Sequence, residues 1–308
     1  MTQQQTISPR AWAELFVLAT IWGGSFLSIR IALDQVGVFT TVAFRITGAL
    51  IVLWTYVIAR RLPLPKDWRI WVAFLVLGTL NNAIPFSLIS WGELRIPTGL
   101  ASILNAATAV LGVLVASIAF KDEKLTKRKA LGVACGFLGV VTAIGIEVLW
   151  QFDLTSLSQL AVLGAATSYA FAGAFARATM KGQRPQVVAA GALLGAALIM
   201  VPIAVVQDGL PTFHYHANTW EALGYLALIA TAGAYLLFYR VVAMTGAGNA
   251  SLVTLIIAPV AIVLGAVVLG EALHSRAYIG FALLALGLLI IDGRLIRRIF
   301  GRPAQEIA

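Results

Sequence analysis

The feature that most constrains this chain is a rhythm: apolar stretches of roughly 20 residues, nearly free of charge, separated by short charged loops. An α-helix rises 1.5 Å per residue, so about 20 residues span the ~30 Å hydrocarbon core of a bilayer. We count ten such stretches. In the first half they run Ala13 to Leu33, Val38 to Ala59, Ile70 to Gly92, Thr98 to Phe120 and Ala130 to Leu149. In the second half they run Gln159 to Met180, Gln186 to Val206, Trp220 to Tyr239, Asn249 to Gly270 and Arg276 to Ile291. The longest loop, 207–219, is too short to be a domain, so function is expected inside the membrane. The fold class expected is all-α and integral to the membrane, with ten transmembrane helices.

Composition agrees, since 60% of the residues are apolar and 11% are charged, against about 25% charged in a soluble domain. The net charge of +9 could suggest nucleic acid, but the positions of the charges argue otherwise. Arg60, Arg61, Lys66 and Arg69 fall between spans 2 and 3, and Lys121, Lys124, Lys127, Arg128 and Lys129 between spans 4 and 5. Lys181 and Arg184 follow span 6, and Arg294, Arg297, Arg298 and Arg302 follow span 10. With alternating spans all of these lie on one side, while the other side holds mainly Asp34, Glu93, Glu147, Asp153, Asp208 and Glu221. This positive-inside bias predicts cytoplasmic termini in an inner (plasma) membrane, with lipid as the surrounding partner and no nucleic acid. The first span has no cleavage site after it and reads as retained rather than as a signal peptide. Cys135 falls within span 5 and reads as a packing residue.

The two halves align at an offset of roughly 147 to 149 residues. Thr20, Trp22 and Arg30 meet Thr167, Tyr169 and Arg177; Phe86, Gly99, Ala101 and Ser102 meet Tyr235, Gly248, Ala250 and Ser251. Residues 1–150 are therefore expected to form one five-helix repeat and residues 151–308 a second. An odd number of spans per unit makes the second copy cross in the opposite sense, an inverted repeat around a central cavity that suits alternating access.

The motifs ATIWGGSF (19–26), AFRITGALIVL (43–53), NNAIPFSLISWG (81–92), GLASILNAATAVLGVLVA (99–116), KDEKLT (121–126) and IIAPVAIVLGAVVLGEAL (256–273) resemble the drug/metabolite transporter superfamily. Over essentially the whole chain the match is to its ten-helix EamA-like branch, which includes exporters of aromatic amino acids of the YddG type. The resemblance implies ten helices, efflux of small metabolites, and a cavity lined by spans 1, 3, 4, 6, 8 and 9.

Several polar and aromatic residues fall where lipid would not tolerate them. Asn81 and Asn82 sit near the middle of span 3, where an amide without a partner costs several kcal/mol. Each alone could serve helix packing; with the helix break expected at Pro85, and Phe86 and Trp91 following, the segment reads as a cavity wall. Trp22 lies near the middle of span 1, with Tyr169 as its repeat mate. Ser102, Asn105 and Thr108 share one side of span 4, where Asn105 is the site candidate and the two hydroxyls back-bond to their own helix. Tyr235 in span 8 completes the substrate-binding set, and Pro259 in span 9 is a second expected hinge.

Arg45 is the one charge well inside a span; such a charge by default marks function, yet about two turns from the outer end it can snorkel, and the structural reading is slightly preferred. Glu271 reads as a helix-end contact and Glu14 as a solvated residue at the edge of span 1. No carboxylate falls near a predicted midplane, which weighs against a proton-coupled exporter of cationic drugs. His214, His216 and His274 fall in loops with no third ligand, so no metal is expected. No acid, base and nucleophile converge, and no phosphate loop occurs, so neither an enzyme nor a cofactor is expected. Three readings follow. The first is an exporter of small metabolites, amino acids with aromatic or large apolar side chains above all. The second is a proton-coupled exporter of cationic drugs or other metabolites. The third is a non-transporting membrane receptor or assembly subunit.

Overall fold

The computed structural model describes residues 9–121, 125–145, 154–245 and 253–292. Among them are ten helical spans. The first half holds α1 (Pro9–Ala32), α2 (Val38–Ala59), α3 (Trp68–Gly78, Thr79–Ala83 and Ile84–Gly92 in succession), α4 (Thr98–Asn105 and Ala107–Ala119) and α5 (Lys127–Ile144). The second half holds α6 (Leu154–Thr179), α7 (Pro185–Gln207), α8 (Ala217–Gly224, Tyr225–Gly233 and Ala234–Thr245), α9 (Val253–Leu269) and α10 (Ser275–Asp292). Seven of these spans are long and apolar enough to cross a membrane, and α9 and α10 contain shorter apolar stretches, Ile256–Leu269 and Ser275–Ile291.

Helix ends follow local chemistry. Asp67 caps α3 by accepting from the Arg69 N–H, and Thr126 caps α5 by accepting from Lys129. That cap starts α5 three residues before the expected Ala130. The helix stops before Gly145, whose φ of 90° is open to glycine. The expected end at Leu149, the division at 150, Lys124, Glu147 and Asp153 lie outside the described residues.

Packing uses small residues, because apolar burial does not drive helices together in lipid. The α5–α10 contact is a glycine seam: a Cβ on Gly139 would lie 2.5 Å from the Leu284 nitrogen and 2.6 Å from the Gly280 oxygen. On α10, a Cβ on Gly280 would meet the Ala143 nitrogen at 2.5 Å. Between α3 and α7, a Cβ on Gly78 would lie 2.1 Å from the Ala192 oxygen. Backbones this close leave no room for a larger residue.

Contacts between the halves come in exchanged pairs. α5 packs on α10 and α2 on α7; α1 packs on α9 as α4 packs on α6; α3 packs on α6 as α1 packs on α8; and α3 packs on α7 as α2 packs on α8. Loops gather at two ends. At one, Asp208 accepts from the Thr40 N–H at 2.7 Å and Gln35 accepts from the His216 N–H at 2.8 Å. Glu271 accepts there from the Thr98 N–H and, at 2.8 Å, from the Thr98 hydroxyl, capping α4 as a helix-end contact. At the opposite end Glu14 pairs with Arg10 and with Arg240, tying α1 to α8. Glu14 is therefore an interhelical tie, with a side chain only 13% exposed, rather than a solvated residue.

Candidate functional site

Two helix breaks place the polar side chains. Thr79–Ala83 in α3 and Tyr225–Gly233 in α8 are π-helical, with hydrogen bonds one residue longer than in an α-helix. Widening the turn leaves carbonyls partly free, and neighbouring helices take them up. Ser168 on α6 donates to the Leu80 oxygen at 2.7 Å, and Trp22 on α1 donates through Nε1 to the Ala230 oxygen at 3.1 Å. The mid-span tryptophan thus has its polar edge satisfied by the break in α8, with its ring 5.6 Å from Phe238. Pro85 stands in the first turn after the break in α3. Pro259 lies within the continuous helix α9.

Asn81 and Asn82 leave the π segment of α3 and meet Tyr235 from α8. Asn81 Nδ2 donates to the Tyr235 hydroxyl at 3.3 Å, and that hydroxyl donates to Asn82 Oδ1 at 2.6 Å. Asn82 is fully buried and its Nδ2 has no partner. Tyr239 and Phe238 continue the aromatic cluster, with Tyr239 6.5 Å from Tyr235 and 5.9 Å from Phe238.

Arg45 joins this cluster rather than snorkelling. Its guanidinium lies 3.7 Å from the centre of the Phe86 ring and its Nε donates to Thr231 Oγ1, in the π segment of α8, at 2.9 Å. The residue is 7% exposed. Among the described residues its two terminal nitrogens make no hydrogen bond and no carboxylate pairs with it. Tyr169 and Tyr235 lie within electrostatic range of the guanidinium. A desolvated cation over a ring is held by about 2 kcal/mol or more, so Phe86 fixes the fork in place.

The other expected residues are more distributed. Asn105 ends the first segment of α4, half-buried, with Oδ1 lacking a donor; Ser102 and Thr108 bond back to Gly99 and Asn105 carbonyls at 2.7 Å. Trp91 stands near the end of α3, its ring 6.0 Å from the Arg95 guanidinium, away from the asparagine–tyrosine cluster. Gly23 and Gly24 are packing positions: a Cβ on Gly24 would meet the Tyr225 hydroxyl at 2.6 Å, where that hydroxyl donates to Ile21 O. Sequence reasoning underrated Arg45 and missed Thr231. It also counted Glu93 only among the loop charges of one membrane side, whereas the structure leaves that residue 1% exposed.

The model of the EamA-like transporter family matches the chain twice, over residues 11–145 and 156–292. The chain belongs to the EamA-like transporter family. It is an integral, multi-pass membrane transporter of small metabolites and not an enzyme. A probable terminal-alkyne amino-acid exporter of Streptantibioticus cattleyicolor is 26% identical over 297 residues, covering 95% of this chain and 96% of that one. A probable amino-acid metabolite efflux pump of Escherichia coli is 23% identical over 284 residues, covering 89% and 92%. An uncharacterized transporter of Archaeoglobus fulgidus is 23% identical over 285 residues, covering 92% and 98%. A solved crystal structure shares the fold, with a TM-score of 0.68 at 19% identity, covering 95% of this chain and 100% of that one.

Proposed function

We propose that this transporter exports amino acids with aromatic or large apolar side chains, by alternating access between two inverted five-helix repeats. The observation that carries the reading is the set of unsatisfied polar groups around Arg45. An immobilised guanidinium with free terminal nitrogens and the unpaired Asn82 Nδ2 are donors awaiting an anion, and a carboxylate matches a guanidinium fork in two parallel bonds. Apart from this cluster, on α4, Asn105 Oδ1 is a further acceptor without a donor. Phe86, Tyr169, Tyr235, Phe238 and Trp22 offer aromatic surface for the side chain.

The exchanged pairing of helices between the halves supports the inverted repeat, because an axis in the membrane plane swaps α1–α9 with α4–α6 and leaves α5–α10 and α2–α7 paired with themselves. The basic loops at the Glu14–Arg240 end support cytoplasmic termini in an inner membrane. Two relatives named for amino-acid export or efflux agree with the substrate class.

The test is efflux from proteoliposomes loaded with a labelled amino-acid panel. Saturable loss of aromatic and large apolar members, and retention of small acidic ones, is the expected result. No flux of any amino acid through folded protein would overturn the substrate assignment.

A further inference from the structure

Glu93 occupies the turn after α3, outside the helical span, yet it is 1% exposed and neither carboxylate oxygen has a hydrogen-bond partner. Glycine at the preceding position makes this possible. A Cβ on Gly92 would lie 2.7 Å from the Val162 side chain and 3.1 Å from the Ser158 oxygen, so the turn is pressed against α6. On α6, Ser158 Oγ and Gln159 Oε1 are also buried and unpaired.

The charges acting on Glu93 come from three directions: Glu271 ahead of α10, Arg30 on α1 and Arg45 on α2. Arg30 pairs with Asp34 at 3.2 Å and Glu271 is held by Thr98, while Arg45, fixed by Phe86 and Thr231 through its ring contact and its Nε, pairs with no carboxylate among the described residues and keeps its terminal nitrogens free. From α6 the facing groups are uncharged. Burial pushes the Glu93 carboxyl well above the usual carboxylate range, the Glu271 charge pushes it further, and the two arginines only oppose this.

A carboxylate in so dry a place is stable in two ways: carrying a proton, or holding a cation. On the amino-acid reading above, the cation at hand is the substrate's ammonium group, while Arg45 takes its carboxylate. We propose that Glu93 is the group at which a proton from the outer side is exchanged for the substrate's ammonium group, making export a one-for-one proton antiport. In the step, a proton from outside forms an O–H bond with Glu93 as the ammonium group leaves. When the site reopens to the inside, that O–H bond breaks, the proton passes to water and a new ammonium group takes its place. One proton enters for each substrate released, with no other reactant consumed.

Proteoliposome efflux with an interior pH dye tests this directly. Wild-type amino-acid efflux should be matched by proton uptake, and the substrate gradient at equilibrium should shift about tenfold for each unit of imposed pH difference. Glu93→Gln, which mimics the protonated acid, should lose both effects while remaining folded by thermal melt. Wild-type efflux without proton movement, efflux coupled to sodium instead, or unchanged pH coupling in Glu93→Gln would each overturn the proposal while leaving amino-acid export standing. The protonated-carboxyl infrared band gives a readout that needs no substrate. It should be present at neutral pH, be absent in Glu93→Gln, and disappear on raising the pH; a Glu93 already ionised at neutral pH overturns the proposal. Absence of amino-acid flux in the wild type, with the infrared band present, would instead count against the substrate reading.

Discussion

The π-helical breaks in α3 and α8 occupy corresponding places in the two halves, yet they are built from different residues. The first, Thr79–Ala83, carries two asparagines and is followed by Pro85; the second, Tyr225–Gly233, has no proline and no amide. A break that forms without proline in α8 cannot depend on proline in α3. What the two share is the neighbour that takes up a freed carbonyl, Ser168 for one and Trp22 for the other. The backbone device is common to both halves and the polar side chains gathered at it are not. The first half supplies Asn81, Asn82, Arg45 and Phe86, and the second supplies the hydroxyls of Tyr235 and Thr231 that orient them.

If the first half's polar groups carry recognition, Arg45→Ala should have the largest effect. Losing a desolvated, hydrogen-bonded charge partner costs about 2 to 5 kcal/mol, so efflux should fall by about 30-fold or more. Arg45→Lys keeps the charge without the fork and should recover only a fraction of the rate, both measured in the same vesicle assay. Next, Asn81→Ala combined with Asn82→Ala removes both amides but leaves the helix packing; flux should drop to near background in protein that still elutes as a single folded species. Wild-type flux in that variant would take the asparagines out of the site. Tyr235→Phe removes only the hydroxyl linking the amides, and at about 1 kcal/mol for each of its two hydrogen bonds it should slow efflux by up to about 30-fold. Smallest of all is Pro85→Ala. Because α8 sustains its break without proline, efflux and melting temperature should stay close to wild type, and a large loss in either would show that the two breaks have different causes.

Much of the fold was legible because hydropathy reports what lipid demands: the ten spans lie within a few residues of the helices wherever the structure describes them. The site was legible in part, for reasons that individual residues make plain. Asn81, Asn82 and Tyr235 stood out as polar or half-polar groups in apolar runs, but their mutual bonding spans 153 and 154 residues of sequence and depends on the fold. Arg45 was visible as an intramembrane charge. Whether it reached for water or for Phe86 depended on Thr231 arriving from the other half. Glu93 could not be recognised, since a turn residue is buried only when another helix covers it, and that covering rests on a glycine at position 92 meeting Ser158. The π segments carry no sequence code beyond the proline, which is absent from one of them. Trp91 shares a motif with the asparagines but stands near the end of the helix, beside Arg95.

The tether on Arg45 has a consequence for what must not cross. A pathway open to a zwitterion has to remain tight to sodium and to hydrated protons, or the membrane potential would drain through it. A guanidinium clamped by Phe86 and Thr231 is a positive charge that cannot swing aside, and a fixed charge of that sign raises the energy of any bare cation entering the low-dielectric centre. A molecule that brings its own carboxylate neutralises the barrier as it binds. On the proposed amino-acid reading, the residue that receives the cargo's carboxylate would also insulate the membrane against leak.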